Sequence, residues 1–309
     1  MRDAQAPCEG VDAFVSCKKR DEKSDGSDEM TYSRQHKRYL VRSPLRYPGS
    51  KAFLFDTLRR VANRDRFLEG FAGSAILSLN MRREGKAIHI NDIDPSLYAL
   101  WKNIKENPSE LAEMVLFTPI DIYAYRKCAA VMKSEKRPTL ELAFSVLFLN
   151  RTNFSGMLGA TVIGGESQDG KYRMDVRFNR SVIVKRIGQA ASLLKDAVVT
   201  NKDALSLIDE DGFLYLDPPY LAIDGRIYRF NYTKTDMQRL LDALKDRDEP
   251  WMLSHTPSDF IDGELVGFHS AEIDHRYGIK TPSEKGSIEK IWSNVPLGPM
   301  TTLLETPNE

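Results

Sequence analysis

Cysteine is scarce in this chain: 309 residues include only Cys8, Cys17 and Cys128. An odd count with no CxxC and no Cys/His cluster excludes a disulfide framework and a zinc knuckle, and points to a reducing compartment. Long apolar runs are missing too. No stretch reaches the eighteen or so residues of a membrane span, and MRDAQAPCEGVDAFVSCKKRDEKSDGSDEM lacks a secretory apolar core. A soluble, cytoplasmic protein is expected, nucleoid-associated if it binds DNA. Excess charge is likewise absent: 44 Lys and Arg balance 44 Asp and Glu. The net field therefore argues for no polyanionic partner, and any nucleic-acid interface must show in local charge. The five histidines have no metal-ligand spacing, and no metal is expected. GxxxxGK[ST] does not occur, so there is no phosphate-binding P-loop.

What is present divides the chain clearly. Residues 1–38 are dense in charge and serine without apolar periodicity, which predicts a disordered charged tail. From Pro44 onward, short apolar runs alternate with amphipathic segments, the pattern of an α/β sheet. RFLEGF (66–71) and AIHIND (87–92) read as strands, SAILSLNMRR (74–83) and PSLYALWKNIKEN (95–107) as helices. The region 108–195 is different. Its segments PSELAEMVLF, IDIYAYRKCAAVMKSE and TLELAFSVLFLN have helical periodicity with no strand between them. A glycine-rich loop region (155–170) and a segment whose second half reads as helix follow. Strand patterns then resume at 197–203, 212–217, 250–255, 268–275 and 289–295, with a helix at 233–246. An α/β domain of 39–107 and 196–309, interrupted by a helical insertion at 108–195, is expected.

Two constellations carry chemistry. FLEGFAGSAILSLN puts Gly70, Ala72, Gly73, Ser74 and Ala75 at a strand-to-helix turn, where small residues let a ligand approach the backbone. Such a turn also wants glycine on conformational grounds alone. Asp92 strengthens the ligand reading. It ends the next strand, about twenty residues on, where a carboxylate suits two ribose hydroxyls. Asp94, directly before Pro95, is the better helix cap. A ligand with an adenosine but no phosphate fits.

The second is YLDPPY, residues 215–220, following an apolar strand. Pro218 and Pro219 have no N–H, so they stiffen the turn and leave its carbonyls as acceptors. Asp217, the rigid carbonyl of Pro218 and the ring of Tyr220 make a clamp for a planar group bearing an NH₂. The plainer alternative is a strand stopped by prolines.

With these motifs in view, the chain resembles the Dam-type, DPPY-motif, adenine-specific DNA methyltransferases, which depend on S-adenosyl-L-methionine. The likeness spans roughly 44–295: PLRYPGSK (44–51), FLEGFAGSA, NDIDPSLYALW, LFLNRTNFSGM (147–157), NRSVIVKRI (179–187) and YLDPPY. Gly70 and Ala75 stand where the family usually has proline and glycine.

The resemblance implies a Rossmann-like, doubly wound methyltransferase sheet with a mostly helical target-recognition insertion. It implies methyl transfer from S-adenosyl-L-methionine to the exocyclic amino group of a flipped-out adenine in double-stranded DNA, with Asp217, Pro218, Pro219 and Tyr220 catalytic. Tyr47, Lys51, Glu69, Phe71, Gly73, Asp92 and Asp217 fall at cofactor positions. Asp203, after a strand, is a further cofactor candidate or a cap for the helix that follows. Within 171–186, Lys171, Arg173, Arg177, Arg180, Lys185 and Arg186 face one acid, Asp175, a clustering that suits phosphate contacts. Asn150 and Arg151 serve either the DNA interface or the fold. A monomer, or a dimer on DNA, is expected. An RNA adenine methyltransferase of the same chemistry and a catalytically idle DNA-binding relative are the alternatives.

Overall fold

The structure is a computed structural model that describes residues 40–47, 49–221, 232–275 and 287–298. The predicted tail at 1–38 lies outside the described residues. Among the described residues, those from 41 onward form one compact unit.

Its frame is a seven-stranded sheet in the order β3-β2-β1-β4-β5-β7-β6, with β1 Arg66–Glu69, β2 Ala87–Asn91, β3 Val198–Thr200, β4 Phe213–Leu216, β5 Trp251–His255, β6 His269–His275 and β7 Ser287–Ser293. The first five run parallel, and β7 pairs antiparallel with both β5 and β6. This is the doubly wound, Rossmann-like sheet expected from the sequence. All four residues of β4, FLYL, are buried, as a central parallel strand requires. The order reverses between β1 and β4, so their carboxyl ends flank the crevice where such sheets hold ligands. Glu69 ends one and Leu216, just before Asp217, ends the other.

Most of the described helices start where a side-chain acceptor meets a free amide. Helix α1 (Phe55–Val61) precedes β1, and α2 (Ile76–Arg83) follows the glycine turn. In α3 (Pro95–Glu106), Asp94 accepts from Ser96 N–H and Pro95 sits in the first turn, as the sequence predicts. Helices α4 (Pro108–Phe117), α5 (Ile122–Ser134), α6 (Leu140–Thr152) and α7 (Arg180–Leu194) make up the insertion, the last three capped by Asp121, Thr139 and Asn179. They pack on α3 and on one another, so the insertion shares the core of the sheet domain. Helix α8 (Lys234–Lys245) opens with a reciprocal Thr233/Asp236 capping box, and α9 (Asp259–Glu264) follows β5. Helices α1 and α9 have no counterpart in the sequence reading, being short segments with few apolar repeats.

Asn150 and Arg151 in α6 are both buried and bonded within the fold, which favours the second of the two roles the sequence left open for them. Asn150 is 1 % exposed. Its Oδ1 accepts from Arg46 N–H at 2.8 Å, and its Nδ2 donates to the carbonyls of Arg46 and Gly156 at 2.8 and 2.7 Å. Arg151 is buried and donates to the carbonyl of Pro44. Burial, then the nearby Arg186 and Arg46, push its guanidinium down to about 9. Both side chains therefore pin the PLRYPGSK segment to the insertion. Gly156 completes the clasp: it has φ +75°, and a Cβ there would overlap the Arg46 carbonyl.

A consequence is measurable. Asn150→Ala leaves an amide and two carbonyls unpaired and should lower unfolding stability by about 2–3 kcal/mol. In urea the midpoint falls while the slope is unchanged; a midpoint equal to wild type with weakened duplex binding would return Asn150 to the DNA interface.

Candidate active site

One cavity, of about 200 Å³, gathers the cofactor candidates that the sequence scatters over 170 positions: Tyr47, Lys51, Glu69, Phe71, Gly73, Asp92, Asp203 and Asp217 all line it, with Pro219. It opens over the carboxyl ends of β1, β2 and β4. The residues reach it for different local reasons.

The glycine turn forms the floor. Gly73 has φ +45°, and a Cβ there would lie 2.9 Å from the Tyr47 ring, so the ring and the turn fit only because Gly73 is bare. Its carbonyl accepts from the indole of Trp101 at 3.0 Å, which fixes the turn onto α3. Gly70 lines the cavity as well, but its smallness answers a packing demand: a Cβ would sit 2.6 Å from Leu216 Cδ2. Ala75 holds φ +48°, a left-handed position where glycine is at ease, which accounts for the residue that the family usually places there.

Acids form the walls. Asp92 accepts from Gly73 N–H through Oδ2 and from Asp94 N–H through Oδ1, each at 2.9 Å. These bonds set the carboxylate's direction and still leave lone pairs over the cavity. Burial pushes it up to about 7, against the pull of those two amides. Glu69 is buried at the end of β1 and accepts from the amide and hydroxyl of Ser78 at 3.1 and 2.5 Å. Burial pushes it up to about 8. Asp203 caps the following turn by accepting from Leu205 N–H at 3.0 Å, and it also lines the cavity.

At the far end lies the DPPY turn. Asp217 Oδ2 is 3.0 Å from Lys51 Nζ, and its Oδ1 accepts from Ser254 Oγ at 3.0 Å. Ser254 in turn receives the Tyr215 hydroxyl at 2.7 Å, so a buried chain of hydroxyls from β4 and β5 aims the carboxylate. Lys51, 4 % exposed, also donates to Tyr220 Oη at 3.0 Å and Gly49 O at 3.1 Å, and lies 3.5 Å from Glu289 Oε1. Pro218 is buried and Pro219 borders the cavity. Tyr220, which ends the turn, is not among the residues that line the cavity: its hydroxyl donates to Glu289 Oε2 at 2.8 Å and its ring meets His255 edge-on at 5.1 Å.

Sequence reasoning missed Ser254, His255 and Glu289 in this cluster. Glu289 carried a signal, an acid embedded in the strand pattern EKIW, but its partner lies 238 positions away in Lys51.

The basic run of 171–186 lies outside this cavity. Lys171, Arg173, Arg177 and Lys185 are exposed. Arg180 and Arg186 are half-buried and committed in part to the fold: Arg180 donates to the carbonyls of Val115 and Thr118, and Arg186 to Ser43 O at 3.2 Å. Among the described residues, no group of three or more His, Cys, Asp or Glu could hold a metal ion. No helix among them is long and apolar enough to cross a membrane.

A family model of the D12 class of N6 adenine-specific DNA methyltransferases matches residues 47–279, from the cavity's Tyr47 past the DPPY turn. The chain belongs to that family. It is similar to the type II methyltransferase M.CviBI of Paramecium bursaria Chlorella virus NC1A, 23 % identical over 230 residues, 70 % of this chain and 83 % of that protein. The type II methyltransferase M1.LlaDCHI of Lactococcus lactis subsp. cremoris is 24 % identical over 253 residues, 73 % of this chain and 84 % of its own. A D12-class methyltransferase uses DNA as substrate and needs a methyl donor.

Proposed function

We propose that this protein is a site-specific adenine methyltransferase that uses S-adenosyl-L-methionine and acts on an adenine flipped out of double-stranded DNA. The observation that carries the reading is the charge of the cavity. Among the described residues, Asp92, Asp94, Asp203, Asp217 and Asp236 line it against one lysine, Lys51, while burial keeps Glu69 largely in its neutral form. Such walls repel a polyphosphate and suit a ligand that is cationic at sulfur and nitrogen and neutral at its ribose. When bound, S-adenosyl-L-methionine supplies a methyl group on positively charged sulfur. Asp92 would take its ribose hydroxyls, Tyr47, Phe71 and the bare turn at Gly73 its flat and apolar parts, Glu69 and Asp203 its remaining donors.

The chain's own part in the chemistry is at the DPPY turn. The amino nitrogen of adenine is a weak nucleophile because its lone pair is spread into the ring. Asp217 accepts one N–H and the Pro218 carbonyl accepts the other, which localises that lone pair. Asp217 then stabilises the positive charge that develops on nitrogen, an effect larger in a dry site than in water. The proton leaves readily from the cationic nitrogen. A paired base does not reach such a site, so adenine is flipped and stacks on Tyr220, at a cost of a few kcal/mol that contacts elsewhere offset. The insertion, 108–195, supplies them as the target-recognition region, through exposed Lys171, Arg173, Arg177 and Lys185 and the accessible parts of Arg180 and Arg186.

Tritiated methyl transfer to duplex DNA and to RNA, run side by side, tests the substrate: label in the duplex is expected, and label confined to RNA would overturn it. The carboxylate at Asp92 adds a pH test. With its proton lost only near pH 7, cofactor affinity should weaken as pH falls through about 7, because the protonated acid gives up an acceptor for the ribose. Calorimetry from pH 6 to 8.5 reads this, and a flat profile would refute the contact.

A further inference from the structure

Strand β7 brings a buried acid, Glu289, to the back of the DPPY turn, beyond the segment that the family model matches. Its side chain is 1 % exposed and does not line the cavity. It accepts the Tyr220 hydroxyl at Oε2, 2.8 Å away, while Oε1 lies 3.5 Å from Lys51 Nζ. The same ammonium is 3.0 Å from Asp217 Oδ2 and donates to Tyr220 Oη at 3.0 Å. One cation is thus shared by two carboxylates, and the phenol between them has both its proton and its lone pair assigned.

We infer that Glu289 is a positioning residue for methyl transfer: it shares Lys51 with Asp217, so that Asp217 keeps its negative character toward the amino nitrogen, and it locks Tyr220 behind the turn. The inference rests on the adenine methyltransferase reading above. Without the second carboxylate, Lys51 would neutralise Asp217 alone, and the charge that develops on the amino nitrogen would meet a weaker field. In a site with Lys51 at 4 % exposure, water does little to screen that change. Ser254 holds the other Asp217 oxygen by a neutral bond, so it fixes direction and adds no charge. His255, which also packs against Tyr220, is held neutral by burial and adds no charge.

Glu289→Gln keeps the size of the side chain and an acceptor for the Tyr220 hydroxyl, removes the charge, and puts an NH₂ in place of the oxygen that faces Lys51. In the full chain, kcat for duplex methylation should fall about 10- to 100-fold. Dissociation constants for S-adenosyl-L-methionine and duplex should stay within about twofold, and 2-aminopurine at the target position should brighten as in wild type. A merely structural acid would give wild-type kcat, or a loss of binding and turnover together; either result overturns the inference. Glu289→Asp retains the charge and should transfer faster than the Gln variant. If the Gln variant does not fold, Glu289→Asp with binding intact and kcat reduced less than about tenfold upholds the assignment, and binding lost in proportion to turnover removes it. Wild-type enzyme that binds duplex and transfers nothing would instead sink the adenine methyltransferase reading, a result distinct from active wild type with an active Gln variant.

Discussion

Replacing Asp217 by alanine should reduce methyl transfer by at least about 10²- to 10³-fold while cofactor and duplex still bind. The size follows from two losses at once. The amino group loses its charged acceptor, and the Lys51 ammonium, now 3.0 Å from a missing carboxylate, turns a positive charge toward the nitrogen that must become positive. Folding should survive, because Glu289 remains beside Lys51 and the cation keeps a counter-charge. Asp217→Asn is the sharper comparison. It preserves an acceptor oxygen and the Ser254 bond but no charge, so activity above the alanine variant and far below wild type is expected. Single-turnover transfer with saturating cofactor and duplex reads both, and an alanine variant near wild type would show that the clamp is misassigned.

The second large effect belongs to Lys51. PLRYPGSK resembles a cofactor-binding opening, and Lys51 does line the cavity, yet its ammonium is spent between Asp217 and Glu289. Lys51→Met would leave two carboxylates facing each other in a site with little water. Breaking a buried pair by removing one partner costs about 3–5 kcal/mol, so a fall in Tm of roughly 10 °C is expected for a unit of this size. One of the two acids then takes up a proton to relieve the repulsion. Adding Glu289→Gln to Lys51→Met should restore part of the lost stability, because the repulsion is gone. A double-mutant cycle with no coupling between the two sites would contradict the shared-cation arrangement.

The sheet was legible because each parallel strand carries a short run rich in apolar residues, unbroken in FLYL of β4 and interrupted by His89 in β2. The cavity was half legible. Asp92, Gly73 and Asp217 stand at strand ends, where a local pattern marks them, and the structure brings all three together. What escaped depends on distance along the chain. Asn150 and Arg151 resemble an interface by residue type, and only the carbonyls of Pro44, Arg46 and Gly156 show that they clasp a remote segment. Ser254 and Glu289 carry no motif, and their meaning comes from the pairing of β5 with β4 and β7. The basic run was legible as charge, and its division into outward lysines and arginines and inward-bonded Arg180 and Arg186 was not.

The central claim is that the clamp at Asp217 methylates the amino nitrogen of adenine in duplex DNA. Incubating the full chain with duplex and trideuteromethyl-labelled S-adenosyl-L-methionine, then resolving the nucleosides by mass spectrometry, tests it most directly. Deuterated N6-methyldeoxyadenosine, present with wild type and absent with Asp217→Ala, is the expected result. Label on cytosine, or label on adenine that persists in the Asp217→Ala variant, would contradict it.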